Sequence, residues 1–193
     1  MTILGCITKY KADDIRPYVE SIEQTGFKGR KVMLVYDVPK ETIDYLKSKG
    51  WDLYGGELQQ HIILQRFRDL YKILGSEIKG TVIWTDVKDV IFQEDPTEWI
   101  DLNMDDEILS FSECIKFKDD PWACVNAGTS FPMEWEWLQN KTSYCAGTIV
   151  GEAEYLRDLF IDIYRWSMTT ANTEQLSDQA AYNVLINLHH ISD

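Results

Sequence analysis

Between Thr2 and Trp84 the chain alternates short apolar runs with amphipathic stretches, and this alternation limits the possible folds more than any other feature. Residues 2–8 form an apolar run. Asp13-Asp14 then precedes Ile15, Val19 and Ile22 at helical spacing, with Pro17 expected in the first turn, where its missing N–H is tolerated. Gly29-Arg30 leads into a strand at 31–36, and Pro39 opens a helix carrying Ile43, Tyr45 and Leu46 that stops at Gly50. A shorter strand at 51–54 passes through Gly55-Gly56 to a helix with Ile63, Phe67, Leu70 and Leu74 on one face, ending before Gly80. The fourth strand is 81–84. Strands separated by helices of this length require right-handed crossovers. The expected class is therefore α/β, a single doubly wound Rossmann-like domain with a mainly parallel mixed sheet, its ligands at the carboxyl ends of the strands.

Beyond residue 95 the pattern loosens. A strand is expected at 107–111, a loop over 119–128, a short Trp-rich helix at 132–138 and a strand at 144–150. A long helix bearing Leu156, Leu159, Phe160 and Ile163 follows, then a last helix from Asp178 with Ala181, Val184, Leu185 and Leu188. No linker or low-complexity run divides the 193 residues, so one domain over 1–193 is expected. The 19 basic and 32 acidic side chains leave a net charge of −13, which repels a nucleic-acid backbone and argues against that partner. Apolar runs fall far short of the roughly 20 residues of a bilayer span, and the N-terminus lacks a basic start, so no membrane span and a cytoplasmic protein are expected. The 4 cysteines are scattered without a C-x-x-C pair and read as reduced thiols.

The segment after the fourth strand, Thr85-Asp86-Val87-Lys88-Asp89-Val90-Ile91-Phe92-Gln93, places two carboxylates at the sheet edge where a ligand lies. One reading is a Mg2+ or Mn2+ site, because one or two carboxylates, waters and substrate phosphates form the usual shell of these ions. The other is a solvated strand-to-loop turn, where Asp is common.

This segment resembles the T-D-x-R/K-D-V-x-F-Q stretch of glycosyltransferases of the GT-A fold. Tyr144-Cys145-Ala146-Gly147-Thr148-Ile149-Val150-Gly151 is similar to that family's N-A-G-x-x-x-G strand, with Cys145 in place of Asn. Ser177-Asp178-Gln179-Ala180-Ala181-Tyr182-Asn183 is similar to its D-Q-x-x-x-N helix start, and Arg66-Phe67 to its R-F helix. The usual metal motif of the family is D-x-D, whereas here Lys88 stands two after Asp86 and the second acid follows at Asp89.

The resemblance implies a nucleotide-binding half over 1–93 and a sugar and acceptor half over 94–193. The implied activity is transfer of a sugar from a UDP- or GDP-linked donor to a carbohydrate or other hydroxyl acceptor, assisted by Mn2+ or Mg2+. Asp86 and Asp89 are the implied metal ligands, with His189 or its neighbour His190 as a third. Asp178 is the implied general base; apart from the resemblance, Asp120 is a fallback because the loop expected around it could fold over the site. The donor would lie against Thr8, Lys9, Tyr10, Tyr36, Arg66, Asp86, Ala146, Gly147 and Thr148.

Structural readings stand beside several of these roles. A Ser-Asp pair at a helix start is ordinary N-terminal stabilisation, and a His pair at a helix end suits the dipole. Trp122, Trp135 and Trp137 suit either a sugar-stacking platform or core packing. Asp95-Pro96-Thr97-Glu98 reads as a helix cap. Two rival functions are a non-catalytic nucleotide-sugar or carbohydrate-binding module of the same fold and a phosphotransfer domain. The latter wants its acids at the end of strand one, where Thr8-Lys9 stands instead.

Overall fold

The computed structural model describes residues 1–104, 108–170 and 177–189, with the side chain of His189 outside the described residues. The first half follows the expected alternation: β1 (Thr2–Thr8), α1 (Ala12–Thr25), β2 (Arg30–Tyr36), α2 (Lys40–Ser48), β3 (Asp52–Gly56), α3 (Ile62–Ile73) and β4 (Thr81–Thr85). The second half adds α4 (Thr97–Asn103), β5 (Ile108–Lys116), α5 (Pro121–Ser130), α6 (Trp135–Leu138), β6 (Thr142–Glu152), α7 (Ala153–Thr169) and α8 (Ser177–His189). The strands form one six-stranded sheet in the order β3-β2-β1-β4-β6-β5. β3, β2, β1 and β4 are parallel, while β6 runs antiparallel to both β4 and β5. The mainly parallel mixed sheet expected from the alternation is the one observed.

Both faces of the sheet are covered, so its strands are apolar on both sides. On one face Leu4, Val32, Leu34, Trp84 and Ile149 pack against Phe67 of α3, Phe160 of α7 and Tyr182 of α8. Phe67, Trp84 and Phe160 form a three-ring cluster with centroids 5.2 to 6.1 Å apart. Each such side chain stabilises the fold by about 1.5–3 kcal/mol through burial. On the other face Ile3, Ile7, Met33, Ile83 and Val150 meet Ile15, Val19 and Ile22 of α1, Leu46 of α2 and Ile100 of α4. No helix among the described residues is long and apolar enough to cross a membrane.

Four local expectations change. Pro17 lies inside α1, past its first turn, so the Asp13 carbonyl loses the intrahelical donor it would otherwise have. The stretch 119–128, expected as a loop, is mostly helix α5. Its N-cap is Asp120, which accepts from the Trp122 and Ala123 amides at 2.8 and 3.2 Å, and Pro121 occupies its first turn. Its buried side is built from Ala123, Asn126, Ala127 and Ser130, residues too small or polar to produce an apolar stripe in the sequence. β5 extends beyond Phe111 to Lys116 across two irregularities, with Cys114 at φ 55°. Pro96, expected at the first helical position, is instead the N-cap of α4, and Asp95 precedes it, accepting from the Thr97 amide at 3.0 Å and its hydroxyl at 2.6 Å.

Candidate functional site

The parallel strands β1 to β4 end on one edge of the sheet, and the chain leaving β4 delivers Asp86 there. The pairing of β4 with β6 continues one step past the strand, because the Asp86 amide donates to the Gly147 carbonyl at 2.7 Å. A side chain on residue 147 would collide with Asp86. A Cβ there would lie 2.5 Å from Asp86 Oδ2, so glycine is what lets the carboxylate occupy this position.

Arg66, on α3, holds two carboxylates. Its Nη1 donates to Asp86 Oδ1 at 2.9 Å and its Nη2 to Asp178 Oδ2 at 2.5 Å. The side chains of Arg66 and Asp178 are 12% and 8% exposed, whereas Asp86 is 43% exposed and faces solvent. The guanidinium lies over the rings of Phe67 and Trp84, 4.9 and 5.3 Å from their centroids. Trp84 is fixed in turn by donating Nε1–H to the Ala146 carbonyl at 3.1 Å. Burial opposes the charge on Arg66, but Asp178 and Asp86 outweigh it and hold the group above the usual arginine range. Arg66 Nε is buried with no hydrogen-bond partner among the described residues. Cys6 of β1 lies close enough to feel these charges. Burial pushes its thiol up to about 12, with Arg66 only partly offsetting the effect.

Asp89 is exposed beyond Asp86, and both act on Tyr10. Burial first, then the two carboxylates, raise the Tyr10 phenol above its ordinary value. Lys88 Nζ sits 5.8 Å from the centre of the same ring. No group of three or more His, Cys, Asp or Glu able to hold a metal occurs among the described residues. A pair of carboxylates still fits Mg2+ or Mn2+ when substrate phosphates and water complete the shell. The backbone of His189 ends α8, but its side chain and all of His190 lie outside the described residues.

The other expected residues fall in different surroundings. Thr8 ends β1 with its hydroxyl buried and without a hydrogen-bond partner among the described residues, and Lys9 follows at φ 58°, its amide donating to the Tyr36 carbonyl at 3.3 Å. Tyr36 is only 1% exposed, and its hydroxyl donates to Asp69 of α3 at 2.9 Å. Ala146 is buried in the core, and Thr148 lines a cleft on the opposite face of the sheet from Arg66. Trp122 is half exposed on α5, while Trp135 and Trp137 pack against the core. Asp120 is engaged as the α5 cap.

Glu113 had no signal in the sequence, whereas Asn183 closes the D-Q-x-x-x-N resemblance. Glu113, in the irregular part of β5, accepts from Ser143 at 2.6 Å and from Gln179 of α8 at 3.2 and 3.3 Å. Asn183 clamps α8 to β6, accepting from the Tyr144 amide at 2.9 Å and donating to its carbonyl at 2.8 Å. Together these bonds fix the helix that carries Asp178.

No family model matches the chain, and no curated protein matches it. Among solved structures it is similar to the galactosyltransferase LgtC in complex with donor and acceptor sugar analogs, with a TM-score of 0.66 and 15% identity. The similarity covers 96% of this chain and 70% of that one. At this identity the likeness is one of architecture, and the chain has the Rossmann-like α/β fold of a GT-A domain.

Proposed function

We propose that the protein is a glycosyltransferase that moves a sugar from a UDP- or GDP-linked donor to a hydroxyl acceptor. The observation that carries this reading is the Arg66–Asp86–Asp178 cluster at the carboxyl end of β4, where folds of this class take their ligands. The fold it shares with LgtC, a galactosyltransferase captured with donor and acceptor sugar analogs, agrees with it.

In the transfer the acceptor oxygen bonds to the anomeric carbon, the bond from that carbon to the phosphate oxygen breaks, and the electron pair leaves with the nucleoside diphosphate. Mn2+ or Mg2+ held by Asp86 and Asp89, with His189 the candidate third ligand, would supply positive charge to the two phosphates. Arg66 is a cation already positioned at that edge, and its planar fork suits phosphate as well as carboxylate. One oxygen of Asp178 is occupied by Arg66. Arg66 turning from Asp178 to the diphosphate frees that oxygen to accept the acceptor's proton in an inverting transfer. Gly147 keeps the β6 backbone open to the sugar ring. Thr8, Lys9 and Tyr10 border the nucleoside from the end of β1. The four free cysteines fit a reducing compartment, and we place the reaction in the cytoplasm.

The test is calorimetric titration with UDP and GDP, with and without Mn2+, on the wild type and Asp89→Ala. Metal-dependent binding of one nucleotide, weakened about tenfold or more in the variant, is the expected result. Binding of neither nucleotide under any condition overturns the donor site. Asp178→Asn should keep nucleotide binding while turnover of the matching nucleotide-sugar falls at least about 100-fold. Unchanged turnover would remove Asp178 from the chemistry, and binding with no turnover in the wild type would leave a carbohydrate-binding module of the same fold.

A further inference from the structure

The face of the sheet opposite Arg66 is not fully closed. Between the segment that follows the acidic motif and α4, Ile83 and Val150 floor a cleft of about 390 Å3. Its outer wall includes Phe92, Trp99 and Phe111, with the last two rings 6.3 Å apart at 33°. Apolar surface continues outside the cleft. Ile91 is 63% exposed, Trp99 49% and Leu102 73%, and Trp99 and Leu102 share one side of α4 at i, i+3 spacing. Contiguous apolar surface of this kind marks an interaction site more often than scattered exposed residues do.

The charge around it is of one sign. Glu94, Glu98 and Asp101 are exposed at its border and form no ion pair among the described residues. No Lys or Arg occurs anywhere between Lys88 and Lys116. Some surface carboxylates elsewhere do have a cationic neighbour, as Asp13 has Arg16 and Asp44 has Lys40.

We propose that this cleft and the outer side of α4 dock a cationic amphipathic polypeptide segment, one apolar side chain entering the cleft and flanking Lys or Arg meeting the acidic border. The sign of the border disfavours nucleic acid and anionic lipid, and a second copy of this chain would bring a like-charged border against it. The apolar surface extends from the cleft along α4 to Leu102, which asks for an extended partner rather than a compact small molecule. None of these residues belongs to the Arg66 cluster, so the inference stands independently of the donor-site reading.

The test uses a tryptophan-free synthetic peptide alternating pairs of Leu and Lys, titrated into the full chain at ~0.15 M salt and followed by calorimetry and tryptophan fluorescence. The expected result is saturable binding that weakens with salt. Replacing the peptide's Leu by Ser should weaken it about tenfold, and both Leu102→Ser and Glu98→Lys with Asp101→Lys should weaken it at least about fivefold. Equal binding by the Ser peptide, or variants that bind like the wild type, would mean attraction to net charge alone and overturn the proposal. Charge reversal at the remote Asp13 weakening binding as much as reversal at α4 would overturn it too. A dimer that Leu102→Ser dissociates, or tighter binding to anionic vesicles than to the peptide, would assign the face to another occupant and overturn it equally.

Discussion

Asp86 can sit beside Arg66 only because residue 147 has no side chain, and this makes Gly147 a more selective probe of the site than its charged neighbours. In Gly147→Ala the new Cβ would stand 2.5 Å from Asp86 Oδ2 and 3.0 Å from its Cγ, so the carboxylate must swing away from Arg66. Asp86 is 43% exposed and finds water, so the expected loss of stability is modest, about 1 kcal/mol. Arg66→Met is different. It leaves Asp178, 8% exposed, without its cation, at a cost of about 3 kcal/mol. Urea unfolding should separate the two variants by about 2 kcal/mol, while nucleotide titration should show both weakened about tenfold. Equal stabilities would mean that Asp178 is not buried as described. The residue types of this cluster were legible in the sequence, but the reason for Gly147 was not. That reason lies in the β4–β6 register, which sets Thr85 opposite Thr148 and leaves the next step for Asp86 and Gly147.

At the scale of elements, the strands were legible as short continuous apolar runs and the large amphipathic helices because their apolar residues repeat at about 3.6. α5 was missed because its buried side is small and polar, and its cap carries the signal instead. Asp120→Ala should therefore cost about 1 kcal/mol in urea unfolding, by leaving the Trp122 and Ala123 amides without their acceptor. Asp120→Asn should restore most of it, and an Asp120→Ala protein as stable as wild type would show that packing alone holds α5. Tyr36 ends β2 as expected, yet Tyr36 and Ala146 point into one core and Thr148 into the cleft on the opposite face. Ala146 and Thr148, two apart on β6, lie on opposite faces because the β5–β6 register shifts between Tyr144 and Ile149, which breaks the strand alternation there. A position read along the chain gives the edge of the sheet. The face depends on which packing layer lies above each residue.

Across the whole molecule, burial has enclosed several groups that are neutral only while protonated. Burial pushes Tyr182 up to about 12 despite its bond to Ser110, and raises Tyr18 and Tyr36 further. Each folded-state value lies above the ordinary 10.0, so above that pH the unfolded chain releases protons that the folded one retains. The stability these groups contribute is complete below pH ~10 and is lost as pH rises through their folded values. Asp69 acts at the other end. Burial disfavours its charge, but hydrogen bonds from Lys72, Arg68, Tyr36 and Gln65 hold it below the ordinary 3.8, so its contribution is present above that value and lost as pH falls. Urea midpoints measured from pH 5 to 11 should be level through neutrality and fall above pH ~9.5. In Tyr182→Phe the midpoint should start lower, by the about 1 kcal/mol of the lost Ser110 bond, but decline less steeply with alkali, because the titrating hydroxyl is gone. The two curves should converge as pH rises. Parallel curves would mean that Tyr182 titrates alike in the folded and unfolded chains and that the core around α8 admits water.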